Sequence, residues 1–138
     1  MSERTLCVIK PNAVRANRIG EIVRRFEQEG LRLAALRMTE PGRSNIEAFY
    51  AEHSEKPFFG RLVDFMTSGP VVAIVLEGED AVGRCRKIMG ATDPSQAAPD
   101  TIRALFGDNM TENAVHGSDS PESAAREVAF YFSGFEIF

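Results

Sequence analysis

Apolar residues recur along the chain with two spacings, one typical of strands and the other of helices. Short apolar runs rich in β-branched side chains, and one run with partial alternation, predict strands. These strands cover residues 5–9, 31–39, 71–76 and, briefly, 115–116. In the second of them Leu31, Leu33 and Ala35 are expected on one side of the strand, with Leu36 and Met38 on the other.

A helix signal follows each predicted strand. The helix starts are Ile19, Ser44, Pro57, Asp80 and Ser120. Ser44 opens a capping-box pattern, and a proline such as Pro57 is suited to the first position of a helix. Gly30 ends the first helix, whereas the second is expected to continue to about residue 55 and to carry His53, which has no obvious set of polar partners.

The helix that starts at Pro57 has more apolar surface than one core contact needs. One stripe holds Phe58, Leu62 and Phe65, and the other holds Phe59, Val63 and Met66. Two readings stay open for the second stripe: it is a ligand wall or subunit contact, or the helix is sandwiched inside the core.

Residues 90–112, between the helix that starts at Asp80 and the last strand, form a segment that is long for a chain of 138 residues. Loops of this length are usually functional, and a short helix is predicted inside it at residues 101–106. The order of elements predicts an α+β fold, a ferredoxin-like α/β sandwich with a four-stranded antiparallel sheet covered by helices. Residues 1–138 are expected to form a single domain, without repeats or linkers.

Charge and cysteine content exclude several classes of protein. The formal net charge of −4 and the pI near 5.2 argue against nucleic-acid binding through a generally basic surface. Cys7 and Cys85 lie in apolar segments without metal-site spacing, which favours buried free thiols and a cytoplasmic protein. No apolar run approaches membrane-spanning length, so no membrane partner is expected.

The segment at residues 113–119 has the composition of a reactive turn. His116 can act as a nucleophile near neutral pH, and Gly117 permits close approach of another group to the backbone. Taken alone, His116 could equally be a hydrogen-bonded structural histidine. Lys10, Arg86 and Arg103 could form a phosphate pocket if they converge, although each could also be a solvated surface charge.

Six short motifs stand in order along nearly the whole chain. They are VIKPN at residues 8–12, FYAEH at 49–53, PFF at 57–59, TSGPV at 67–71, GATDP at 90–94 and NxxHGSD at 113–119. This set resembles the nucleoside diphosphate kinases, whose active-site signature is similar to the segment around His116. The resemblance implies the same ferredoxin-like fold, with the long loop helping to form the nucleotide site.

The resemblance also implies a reaction. It is the reversible, Mg²⁺-dependent transfer of a γ-phosphoryl group from a nucleoside triphosphate to a nucleoside diphosphate by a ping-pong mechanism, with ATP, GTP, GDP and deoxy forms as substrates. His116 would be the nucleophile through Nδ1, Glu127 would hydrogen-bond the other ring nitrogen, and Ser118 would support that pair. Mg²⁺ would be held mainly by nucleotide phosphates and water, with no protein side chain as metal ligand.

Nucleotide contacts are implied in the same way. Phosphate contacts would come from Lys10, Arg86, Thr92 and Arg103, with Tyr50 close to the transferred group. Asn113 and Lys10 would hold the ribose hydroxyls. The base would stack on Phe58 beside Leu62 and Met110, and because stacking is available to every base, this slot would discriminate weakly among bases.

Two features depart from the commonest pattern of the family. Asp93 stands where asparagine is usual after Thr92, and a small effect is expected if its side chain faces solvent. The chain ends at Phe138, without the longer tail typical of eukaryotic members. We therefore expect a bacterial-type homo-oligomer, with a tetramer favoured over a hexamer.

Two rival functions belong to other classes. A ferredoxin-like domain can be a non-catalytic nucleotide-binding regulatory module, and the chain could also be an inactive oligomeric scaffold. The complete set of residues carried over from the resemblance argues against both, since neither needs a nucleophile with an orienting carboxylate.

Overall fold

A computed structural model describes residues 2–138, which form one four-stranded antiparallel sheet with helices on both faces. The strands are β1 (Ser2–Ile9), β2 (Arg32–Thr39), β3 (Val71–Glu79) and β4 (Val115–Gly117). Their order across the sheet is β2-β3-β1-β4, and each neighbouring pair is antiparallel. The predicted ferredoxin-like sandwich is therefore confirmed, including the long connection before β4.

Helices and short 3₁₀ turns connect the strands. The helices are α1 (Pro11–Arg15), α2 (Ile19–Gln28), α3 (Arg43–Phe49), α4 (Phe59–Met66), α5 (Ala81–Met89), α6 (Ile102–Phe106) and α7 (Pro121–Tyr131). The 3₁₀ turns are Ala51–His53, Pro94–Gln96 and Gly134–Glu136. Within residues 2–138, none of the helices has the length and apolar character needed to cross a membrane.

The two central strands are apolar over residues 6–9 of β1 and 71–76 of β3, because the sheet is buried on both faces there. In β1, Leu6 and Val8 enter one core layer and Cys7 and Ile9 enter the other. Helices α3, α4 and α7 complete the first layer, and α2, α5 and α6 complete the second. Residues 5–9 and 71–76 thus read as continuous apolar runs rather than as alternating ones.

An irregularity in β2 overturns the expected alternation of that strand. The register with β3 shifts between Leu33 and Ala35, so Ala35 joins the opposite core layer instead of sharing a side with Leu31 and Leu33. One extra residue in a bulge reverses which face the following side chains occupy. Beyond the bulge Leu36 and Met38 are exposed.

Several helix boundaries also differ from the prediction. The second predicted helix starts one residue before Ser44, because the N–H of Gly42 donates to Oδ1 of Asn45 at 3.3 Å and caps α3 there. That helix ends at Phe49 rather than near residue 55. Helix α1 was not predicted, and Pro11 at its first position is the signal that could have revealed it.

The start of α5 is capped across space rather than by the expected residue. Asp80 holds the N-cap position, but its side chain makes no cap hydrogen bond. The N–H of Val82 instead donates to Oε1 of Glu3 at 2.9 Å, which ties β1 to the helix. Ser120 caps α7 as predicted, since its Oγ accepts from the N–H of Ser123 at 3.1 Å.

Candidate active site

The predicted site residues surround one cavity of about 510 Å³ at the end of the sheet where β1 and β4 meet the long loop. Those on its wall are Lys10, Tyr50, Phe58, Leu62, Arg86, Thr92, Arg103, Met110, Asn113, His116 and Glu127. Ser118 stands behind the wall, where it contacts Glu127. A larger surface cleft of about 680 Å³ lies between α2 and α5 and contains none of these residues.

His116 is fixed in the cavity by its strand and by one carboxylate. It pairs with Val8 in the β1–β4 ladder, and its Nε2 lies 2.7 Å from Oε1 of Glu127. The Oγ of Ser118 donates to the same carboxylate oxygen at 2.8 Å. When Nε2–H is the donor to Glu127, Nδ1 carries the lone pair that a nucleophile requires.

Burial decides the protonation of this pair. Burial lowers the pKa of His116 below its ordinary value of 6.5, and this outweighs the hydrogen bond to Glu127, which raises that pKa. Burial acts to raise the pKa of Glu127, but the hydrogen bonds from His116 and Ser118 hold it below 4.5. A neutral imidazole therefore faces an ionised carboxylate near pH 7.

Lys10 is a buried amine at the end of β1. Its Nζ donates to Oδ1 of Asn113 at 2.8 Å and to the carbonyl of Thr111 at 3.3 Å. Burial and the nearby charge of Arg103 lower the pKa of Lys10 to about 7. Asn113 in turn donates to the carbonyl of Thr92 at 2.9 Å, so one amide joins the lysine to the long loop.

Two arginines are held near His116 by backbone carbonyls. Arg103 donates to Gly90 at 3.0 Å and to Val115 at 2.8 Å, and Arg86 donates to Gly117 at 3.2 Å. The Nε of Arg103 is buried without a partner, and burial lowers the pKa of its guanidinium to about 10, which leaves it charged.

These cations are available for an anionic ligand. In the described part of the chain, no carboxylate lies within 4.0 Å of the charged groups of Lys10, Arg86 or Arg103. Lys10 and Arg103 are buried, and an uncompensated buried charge is costly in a folded protein. Such a cost is typical of a site that receives an opposite charge from its ligand. The cavity has the chemistry of a phosphate site although the whole chain is acidic.

The other end of the cavity is an open apolar slot. Phe58 stands just before α4 with 44% of its surface exposed, and Met110 in the long loop is 61% exposed. Leu62 lies on the wall and also packs in the core. Apart from Phe58, the residues of both apolar stripes pack in the core, which agrees with the prediction of a helix sandwiched inside the core. Phe58 and Leu62 line the cavity.

Tyr50 lies between these two ends. Its ring is 5.8 Å from that of His116, and its hydroxyl is buried without a partner. Burial raises the pKa of Tyr50 well above 10, so the phenol stays protonated and can donate a hydrogen bond. Phe49 adds an edge contact to the imidazole, with ring centroids 5.2 Å apart.

His53 was expected on a helix and without a set of polar partners; the helix placement was wrong, whereas Nδ1 of His53 indeed has no hydrogen-bond partner. His53 lies on the 3₁₀ turn that follows α3, and with Glu52 it forms part of the cavity wall. Its ring is 5.7 Å from that of Phe58. The predicted helix continued past residue 49 and so placed His53 on a helix rather than on this turn. The signal available in the sequence was that His53 lies only three residues after Tyr50, a predicted site residue.

Asp93 has a local role in the long loop. Its Oδ1 accepts hydrogen bonds from the N–H of Ser95 at 3.0 Å and from the hydroxyl of Ser95 at 2.8 Å. The side chain thereby caps the 3₁₀ turn Pro94–Gln96. The unusual carboxylate at this position is held by that turn.

Comparison with known proteins identifies the family of this ferredoxin-like fold. The sequence profile of the family described as nucleoside diphosphate kinase matches residues 3–137. The nucleoside diphosphate kinases of Bdellovibrio bacteriovorus and Bordetella pertussis are each 59% identical to this chain over 135 residues, covering 98% of it and 96% of theirs.

Solved structures agree with the sequence comparison. The nucleoside diphosphate kinase of Aquifex aeolicus superimposes with a TM-score of 0.98 at 51% identity, with both chains fully covered. A family protein from Babesia bovis has a TM-score of 0.93 at 41% identity, covering 99% of this chain and 92% of its own. The chain belongs to the nucleoside diphosphate kinase family and is a phosphotransferase acting in nucleotide metabolism.

Proposed function

We propose that this enzyme transfers the γ-phosphoryl group of a nucleoside triphosphate to a nucleoside diphosphate in two steps through phosphohistidine at His116. The observation that supports this most is the 2.7 Å contact between Nε2 of His116 and Glu127 inside a cavity rich in unpaired cations. A nucleophile, its orienting carboxylate and a phosphate pocket occupy one wall, which a simple nucleotide-binding module does not require.

In the first step Nδ1 of His116 attacks the γ-phosphorus, and the bond between that phosphorus and its bridging oxygen to the β-phosphate breaks. The diphosphate leaves with the bonding electron pair, and the phosphoryl group stays on the ring. Glu127 keeps Nε2 protonated and offsets the positive charge that the ring gains. In the second step a β-phosphate oxygen of another nucleoside diphosphate attacks the phosphohistidine and restores the neutral imidazole.

Charge stabilisation is assigned to the cations around His116. Phosphoryl transfer depends mainly on alignment and on stabilising charge that spreads over the equatorial oxygens. Arg86 and Arg103 have fixed positions because backbone carbonyls hold them, so little reorganisation is needed. Thr92 and the Tyr50 hydroxyl would donate to the phosphates, and Lys10 to the phosphate chain and the ribose.

We include Mg²⁺ in the proposal as an ion that enters with the nucleotide. Residues 2–138 contain no group of three or more His, Cys, Asp or Glu side chains arranged to hold a metal. The carboxylate oxygen of Glu127 nearest the reaction is already occupied by His116 and Ser118. These residues fit an ion held by nucleotide phosphates and water, where it would neutralise part of the phosphate charge.

The apolar slot is assigned to the base, and the ribose to Asn113 and Lys10. Phe58 offers an exposed aromatic face, with Leu62 and Met110 beside it. Stacking on such a face is tolerant of base identity, so we propose that ATP, GTP, GDP and their deoxy forms are all substrates.

We propose that this single domain, residues 1–138, acts in the cytoplasm as a homo-oligomer, with a tetramer favoured over a hexamer. Leu36 and Met38 are more than half exposed on edge strand β2, and Phe135 and Phe138 are exposed at 95% and 84%. Exposed apolar side chains of this size, two on a sheet edge and two after α7, favour burial against another subunit. Two buried free thiols, Cys7 and Cys85, suit a reducing compartment.

The proposed reaction is tested by mixing the purified protein with ATP and GDP and following GTP and ADP. We expect GTP in the presence of Mg²⁺, and little after chelation of divalent ions. Parallel-line kinetics against both substrates would support a ping-pong order. Tight nucleotide binding without formation of GTP would instead favour the regulatory module.

A further inference from the structure

Arg126 is a cation near His116 that has no role in the proposed reaction. The Nη2 of Arg126, on the outer side of α7, lies 3.7 Å from Oε2 of Glu127 and 3.9 Å from Oε1 of Glu52. In the described part of the chain, Arg126 is the one Lys or Arg within 4.0 Å of the Glu127 carboxylate. Its guanidinium thus stands between the orienting carboxylate and an acidic residue of the cavity wall.

The two oxygens of Glu127 have different partners. Oε1 accepts from both His116 and Ser118, whereas Oε2 is approached by Arg126 at a distance longer than a hydrogen bond. Arg126 therefore acts on this carboxylate through its charge. Because Glu127 is 4% exposed, its field reaches His116 with less screening than a surface carboxylate would provide.

We infer that Arg126 is a positioning residue that limits how strongly Glu127 raises the basicity of His116, and that the charge of Glu52 opposes this effect of Arg126. The effect of Arg126 on the pKa of His116 does not depend on the proposed function, whereas its effect on the rate of phosphorylation does. A cation beside Glu127 opposes protonation of the imidazole, so His116 stays neutral to a lower pH than the carboxylate alone would allow. Glu52 acts in the opposite direction, because its negative charge lies 3.9 Å from the guanidinium and offsets part of the positive charge there.

Other ionisable groups also lie near His116 or Glu127 and are the same in all the variants whose pKa values are compared. They are Lys10 at the end of β1, Tyr50 and His53 near the turn after α3, Arg86 on α5, Arg103 on α6, Asp119 after β4 and Tyr131 on α7. Arg126 and Glu52 differ from most of them in being more than half exposed, at 52% and 59% of their side-chain surface, so each can be replaced without opening the core.

The experiment measures the pKa of His116 by NMR in the intact protein without nucleotide. The chain has two histidines, and His53→Gln assigns their signals. We expect Arg126→Gln to raise the pKa of His116 by roughly 0.3–0.6 pH unit, Arg126→Lys to restore most of the wild-type value, and Glu52→Gln to lower it. Arg43→Gln is the matched control, because Arg43 is similarly exposed and pairs with Asp64 away from the cavity.

The same variants are then followed for the rate of histidine phosphorylation against pH. The acid limb of the profile should move to higher pH in Arg126→Gln and to lower pH in Glu52→Gln. A shift in Arg126→Gln no larger than in Arg43→Gln, or shifts of the same sign in Arg126→Gln and Glu52→Gln, would overturn the inference. The NMR result does not need turnover, so an inactive wild type would contradict the proposed reaction and leave this test intact.

Discussion

Glu127 binds the imidazole of His116 through a single carboxylate oxygen, with 2.7 Å between Oε1 and Nε2. Ser118 donates to that same oxygen, so two hydrogen bonds fix both the carboxylate and the ring. Glu127 comes from α7 and His116 from β4, and the turn between them at residues 118–120 sets their spacing. The ring is thereby aimed before any ligand arrives.

Removing only the charge of Glu127 tests this orientation. Glu127→Gln keeps the shape of the side chain but can present an amide N–H to Nε2, which favours the wrong tautomer. We expect the rate of histidine phosphorylation to fall by about 10²-fold, with nucleotide affinity changed by less than about threefold. Rapid-quench kinetics measure the rate, and Ser118→Ala, which keeps the carboxylate, should lose only a few-fold. A rate for Glu127→Gln within twofold of the wild type would contradict the orienting role.

The base slot predicts a separation between binding and chemistry. Phe58→Ala should weaken nucleoside diphosphate binding by about tenfold, because stacking of one base on an aromatic ring contributes ~1–3 kcal/mol. Single-turnover transfer at saturating nucleotide should stay within about threefold of the wild type, since Phe58 is assigned to the base and not to the phosphates. Leu105→Ala is the control, because Leu105 is a 47% exposed apolar side chain that lies outside the cavity wall. Collapse of single-turnover transfer would show that Phe58 has another role.

The buried amine of Lys10 is expected to take up a proton when a nucleotide binds. Its pKa is about 7 in the free protein because burial and Arg103 disfavour the ammonium form. Bound phosphates favour that form and raise the pKa, so at pH 8 an amine that is mostly neutral becomes protonated. We expect uptake of up to about 0.9 proton at pH 8.

Calorimetry in two buffers of different ionisation enthalpy measures this uptake. Lys10→Met, at concentrations raised to match its weaker binding, should take up almost none at the same pH. Equal proton uptake by both proteins would assign the proton to another group.

Gly117 predicts a cost in stability from one added methyl group. A Cβ at this position would lie 2.5 Å from Sδ of Met89, which is buried between α5 and β4. Gly117→Ala should lower the free energy of unfolding by ~1–3 kcal/mol, as overpacking of a filled core does. Gly60→Ala on α4 is the control, because nothing lies within 4 Å of its added Cβ, and it should be neutral or stabilising. Denaturant unfolding compares the two, and equal midpoints would contradict the contact.

The central strands could be predicted because the burial of both their faces produces a recognisable pattern of apolar residues in the sequence. Burial on both faces makes residues 6–9 of β1 and 71–76 of β3 continuous apolar runs. The bulge in β2 could not be predicted, since Ala34 carries no turn chemistry and the shift follows from pairing with β3. The cap of α5 by Glu3 depends on a contact between residues 79 positions apart.

The candidate site divides in the same way. The residues of the candidate site were predicted from the resemblance to the family. The contact between Lys10 and Asn113 could not be predicted, because these residues are 103 positions apart and meet only where β1 pairs with β4. His53 was misplaced because helical periodicity continues past Phe49 although the helix does not. The position of Arg126 beside Glu127 could not be predicted from the sequence, since a charged residue on the polar face of a helix is usually interpreted as solvent-exposed.

The covalent intermediate gives the most direct test of the proposed function. The purified protein is incubated with Mg²⁺ and ATP labelled at the γ-phosphate, and then chased with GDP. We expect close to one acid-labile, base-stable label per chain on Nδ1 of His116, and its transfer to GTP within a single turnover. His116→Ala should take up none. An unlabelled wild type, a label that persists in His116→Ala, or a label that GDP does not remove would contradict transfer through this histidine.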